Sequence, residues 1–166
     1  MFDAALQSLQ DSTIGTAIGG GATLFPWIEC MHVLALTTVI GSIALVDLRL
    51  IGVTSRERSV AQVTDEALPL TWSAFAVAVM TGSLMFVSNA VAYGHNTFFL
   101  IKLGLLVCAG LNMAVYQGFL NRGSDQWVDA ARTPLRARVA GAVSLTLWVG
   151  VVAAGRWIGF TMGAVA

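Results

Sequence analysis

Charge is the first thing this chain lacks. Lys, Arg, Asp and Glu make up 11% of its 166 residues, whereas soluble domains carry about 25%. The nine basic residues balance the nine acidic ones, so no net field of one sign points to nucleic acid as a partner. Cysteine is nearly absent. Cys30 and Cys108 both stand in apolar runs and form neither a disulfide framework nor a zinc spacing. Lys and Arg are missing altogether before Arg49, so the N-terminus lacks the basic region that opens a secretory signal peptide. Histidine occurs only as His32 and His95.

What fills the chain is hydrocarbon: 57% of residues are hydrophobic and the mean hydropathy is +0.78. The length allows one compact unit. A bilayer core of about 30 Å needs roughly 20 apolar residues as a helix. Four segments qualify, at about 24–53, 68–93, 97–120 and 139–163. Lipid offers backbone N–H and C=O groups no partner, so these spans must be helical. The expected fold is an all-α, integral membrane four-helix bundle. Pro26 and Pro69 suit the first turns of the first two spans, and Trp27, Trp72 and Trp157 suit interfaces. Phe2, Ala5, Leu6 and Leu9 recur at helical spacing, predicting a short interfacial helix over 2–12 before Gly19, Gly20 and Gly21 break it.

Orientation follows from the arginines. Arg49, Arg56 and Arg58 cluster after the first span, and Arg122, Arg132, Arg136 and Arg138 after the third. The positive-inside rule therefore makes loops 54–67 and 121–138 cytoplasmic, with both termini (N-out, C-out) and the turn at Gly94, His95 and Asn96 outside. The segment NRGSDQWVDAARTPLRAR reads as a solvated loop that sets topology.

Against this background the stretch WIECMHVLAL stands out, because an ionisable group at the centre of a bilayer costs at least ~2.5–3.5 kcal/mol. At 1.5 Å per residue, Glu29 lies about 8 Å and His32 about 12 Å below the outer start of the first span. Lys102 lies about 8 Å below the start of the third span and Arg156 about 10 Å from the outer end of the fourth, with Asn89 at a similar level. Glu29, His32, Asn89, Lys102 and Arg156 are thus expected in one layer of the outer half. At 100° per residue Asp47 repeats the angle of Glu29, while Val39, Ile43 and Leu50 follow His32, so this side of the helix should face the interior. Arg49 should snorkel at the inner end.

Three chemistries suit such a layer. It can be a structural ion-pair layer, with Glu29 paired to Lys102 or Arg156, as in a cofactor-free accessory or scaffold subunit. It can be a haem site, since neutral imidazole on a transmembrane helix is a common axial ligand of haem iron. In that case Lys102 and Arg156 meet propionates, Asn89 and Asn96 add hydrogen bonds at the rim, and His95 is the leading second axial ligand, with Lys102 in reserve. His95, however, sits roughly 10 Å nearer the water than His32. The third is copper handling or transport, using Cys30, Met31, His32, Met80, Met85, Cys108 and Met113 as soft ligands or Glu29 and Asp47 as a path. Adjacent helix residues point about 100° apart, which weakens the copper set. Gly155, Gly159 and Gly163 permit close helix approach, whether internal or in a homo-oligomer.

The motifs also carry a resemblance. His32 followed by an apolar helix containing Gly41 and ending in DLRL, together with NTFFLIKLGLLVCAGLNMAVYQ, resembles the membrane-bound, haem-containing protoporphyrinogen oxidases of bacteria and, more loosely, the copper-resistance D membrane proteins. The E-x-x-H…D-L-R-L and N-x-x-F-x-x-K-x-x-x-L…N layout is most similar to small four-span bacterial membrane proteins. The resemblance implies a haem b site with His32 as a ligand and Lys102 close by. Those oxidases tend to end the lysine helix with a histidine, where this chain has Tyr116 and Gln117, so the likeness implies a haem site more than that reaction. The resulting expectation is a b-type haem protein of a bacterial inner membrane. It would pass electrons between a membrane partner, such as quinone, and a partner on the outer side.

Overall fold

The structure, a computed structural model, describes residues 1–54, 59–116, 118 and 133–163. Arg56, Arg58, Gln117, Arg122 and Arg132, on which parts of the sequence argument rest, lie outside these residues. The described chain is all-α: α1 (Phe2–Gln10), α2 (Thr13–Gly19), α3 (Leu24–Ile51), α4 (Val60–Ser88), α5 (Ala90–His95), α6 (Thr97–Val115) and α7 (Leu135–Gly163). Four of these, α3, α4, α6 and α7, are long and apolar enough to cross a membrane.

Local chemistry sets the ends. Gly52 closes α3 at φ 86°, donating to the carbonyls of Leu48 and Arg49. That left-handed conformation is one a side chain would strain. The Ser59 hydroxyl accepts from Gln62 N–H while the Gln62 side chain accepts from Ser59 N–H, a reciprocal cap that starts α4 at Val60. The helix therefore begins eight residues before the expected position 68. Pro69 lies inside it instead of in its first turn, and Trp72 stands about 18 Å along the helix, away from its end. Asn89 (φ −149°, ψ 51°) then breaks the helix from α5. The Asn96 side chain accepts from the N–H groups of Phe98 and Phe99 and donates to Thr161 Oγ1 at 2.8 Å, tying the start of α6 to the end of α7.

The expected single N-terminal helix is two, because Ser12 caps a new one through its hydroxyl and Gly15 N–H. Both pack on the bundle's end. Leu6 rests against Gly94, and Gln10 Oε1 accepts from Val91 N–H at 3.1 Å.

Close backbone packing joins α4 to α3, α3 to α7 and α7 to α6. The ends of this row, α4 and α6, meet through side chains, with Phe86 stacked on Phe99 at 5.4 Å. The core joins all four helices through Val39, Ala74, Ala109, Trp148 and Val151. Val39 is wholly buried and Leu50 is 3% exposed, so the His32 side of α3 does face inward. Gly141 lets α3 and α7 approach: a Cβ there would lie 3.0 Å from both the Asp47 carbonyl oxygen and Leu50 Cβ. Arg49 does not snorkel. It is 8% exposed and reaches Thr133, just before α7, so its charge is taken up within the fold.

Candidate functional site

His32 is half-buried on the inner side of α3, against α4. Two features of α4 receive it. Gly82 leaves room for the ring: a Cβ there would sit 3.0 Å from His32 Cε1. Beside it, Thr81 Oγ1 lies 2.9 Å from His32 Nδ1. The short bond of the Thr81 hydroxyl to its own helix favours one direction for this contact. The single hydroxyl proton of Thr81 is donated to the Val77 carbonyl at 2.7 Å, so Thr81 Oγ1 accepts and Nδ1–H donates. A neutral imidazole protonated on Nδ1 has a bare lone pair on Nε2.

Lys102 comes from α6 on the far side of the layer. Its chain runs along Gly155 of α7, where a Cβ would lie 3.9 Å from Nζ. It is close enough to His32 for a direct electrostatic interaction. The structure thus brings His32 and Lys102 together, with Gly82 and Gly155 making room for them. Gly155 is taken up by this internal approach, while Gly159 meets nothing within 4 Å.

The other expected members of the layer are placed differently. Glu29 shares the angle of Asp47 but stands in the second turn of α3, above the packing that begins at Ala35, and is exposed. It lies within electrostatic reach of Tyr93. Arg156 is exposed on the outer side of α7, its guanidinium 4.7 Å over the Phe160 ring. Asn89 is half-buried at the α4–α5 break. His95 lies on the outer surface, where Nε2 is 2.8 Å from Asp3 Oδ1 and Phe2 meets the ring edge-on. It is engaged with α1 and stands apart from His32.

Cys30 and Met31 are exposed on α3 while His32 turns inward, so the three neighbours share no site. Among the described residues, no group of three or more His, Cys, Asp and Glu side chains is placed to hold a metal ion. Thr81 and Gly82 were not singled out in the sequence. A threonine that bonds back to its own helix is common in spans, and only the α3–α4 pairing reveals that it also faces an imidazole.

These elements define a class: a multi-pass, all-helical membrane protein with an oriented imidazole and a lysine enclosed between its spans. The chain belongs to the family described as "Family of unknown function (DUF6644)", whose sequence profile matches residues 1–161. No curated protein and no solved structure matches it.

Proposed function

We propose that this protein binds haem b through His32 and serves electron transfer in a bacterial cytoplasmic membrane. The observation that carries the reading is the 2.9 Å approach of His32 Nδ1 to Thr81 Oγ1, a hydroxyl whose own proton is directed at the Val77 carbonyl. Ligating imidazoles characteristically donate their second N–H to a fixed acceptor, which sets the tautomer and the ring plane. Lys102 supports the reading as a cation beside the imidazole, suited to a propionate. The donors present would hold haem through a single imidazole. His95 is bonded to Asp3, so haem held here has His32 as its only histidine ligand. When bound, the haem supplies one-electron redox chemistry. The chain supplies the oriented ligand and a cation beside it.

The arginine distribution orients the site toward the outer face, with both termini outside. A membrane carrier such as quinone on one side and an outer partner on the other are the proposed redox neighbours. Homo-oligomerisation, for which Gly159 leaves an open small-residue position on α7, is part of the same proposal.

The test is the visible spectrum of protein purified from cells with full haem supply. A Soret band that shifts on dithionite reduction is expected. A colourless protein would contradict the reading and leave a scaffold subunit in its place. Thr81→Val removes the acceptor while preserving shape. It should weaken haem binding by about 10–100-fold, the range seen when outer-shell partners of metal ligands are lost, as read by hemin titration. Unchanged affinity would count against the role given to Thr81.

A further inference from the structure

The opposite half of the bundle holds a second buried polar group that the haem reading does not use. Asp47, near the inner end of α3, is 4% exposed. The Ser144 hydroxyl of α7 lies beside its carboxyl, and Oδ2 has no hydrogen-bond partner. Helices α6 and α7 pack close by. The Asp47 carbonyl lies against Gly141 of α7. Asn112 of α6 spends its amide on the Ala140 carbonyl at 3.1 Å.

No described cation answers this carboxyl. Arg49 lies two residues on, so it leaves α3 about 200° away, and it reaches Thr133. Arg138 donates its Nε–H to the Ile51 carbonyl and is exposed, and Arg136 is exposed on the same first turn of α7. Tyr116, at the end of α6, is the titratable neighbour of Asp47, and a phenol brings no positive charge. On α4, Asp65 and Glu66 are exposed; both are anionic and could not neutralise a carboxylate. A bare carboxylate in such a place carries a desolvation penalty of several kcal/mol. One proton removes the charge and turns an orphan acceptor into an O–H donor.

We propose that Asp47 is a proton-binding site, loaded from the cytoplasmic end of the bundle. The step is an acid–base equilibrium: a proton from water bonds to a carboxylate oxygen, giving a neutral carboxyl, and no electron moves. The site lies about 22 Å along α3 from His32, fifteen residues at 1.5 Å each, and stands whether or not haem binds. In a redox protein it supplies a place where proton uptake on the inner side is linked to the state of the bundle.

Infrared spectroscopy of the protein in lipid bilayers tests this. Wild-type protein should show the C=O stretch of a protonated carboxyl at neutral pH. The band should shift on ¹³C-aspartate labelling, disappear reversibly at alkaline pH and be absent from Asp47→Asn. Labelling assigns the band to an aspartate, and Asp47→Asn, shown to fold by its thermal midpoint, assigns it to Asp47. Absence of a labelled carboxyl band at neutral pH would overturn the proposal. Persistence of the band on adding Na⁺ at fixed pH is also expected, since a proton and not a metal cation holds the site.

Discussion

His32→Ala is expected to abolish haem binding, with the Soret band lost completely and not merely shifted. The imidazole is the only histidine in the layer, and the acceptor that orients it, Thr81, cannot ligate iron in its place. His95→Ala is the matched control. Its ring is bonded to Asp3 and packed on Phe2 at the outer surface, so its loss should loosen α1 and leave the haem spectrum as in wild type. If the two variants exchanged these outcomes, the axial ligand would be His95 and the site would have to be rebuilt around α1 and α5. An intermediate variant, Gly82→Ala, should displace the ring without removing it, because the new Cβ would meet Cε1 at 3.0 Å. It should bind haem more weakly while retaining a histidine-ligated spectrum.

The second large effect belongs to the fold. Gly141→Val should be the most damaging single change at the α3–α7 contact. Its Cβ alone would approach the Asp47 carbonyl oxygen and Leu50 Cβ at 3.0 Å, and valine adds two γ-methyls to that contact. One obstacle is backbone, so relief requires the helices to separate. That opens the packing around Leu50 and Ala137, of which the second is wholly buried. Overpacking of this kind typically costs about 1–3 kcal/mol. The expected result is a large drop in thermal midpoint in detergent, with Gly141→Ala between it and wild type. Equal midpoints for the three proteins would mean that α3 and α7 are not held at this distance.

The spans were legible because lipid permits few alternatives. Runs such as Leu24 to Val46 and Thr97 to Val115 have no soluble explanation, and backbone satisfaction forces them into helices. The inward face of α3 was legible too, since Val39, Ile43 and Leu50 repeat the angle of His32. The start of α4 was hidden because hydropathy reads Asp65 and Glu66 as loop, while the Ser59–Gln62 cap extends the helix through them. The layer itself was only half visible. Counting residues gives the depth of a side chain but not its direction relative to neighbouring helices. Arg156 and Glu29 therefore share a level with His32 yet point away from it. The pairing of His32 with Thr81 depends on which helices are neighbours, and one sequence does not contain that information.

Haem binding at this site rests on which ring nitrogen of His32 holds the proton. Nitrogen-15 NMR of histidine-labelled His95→Gln protein, reconstituted in bilayers without haem, reads this directly from a single residue. The prediction is a protonated Nδ1 and a bare Nε2 whose resonance moves when hemin is added. A proton on Nε2, or a bare Nε2 indifferent to hemin, would contradict the account.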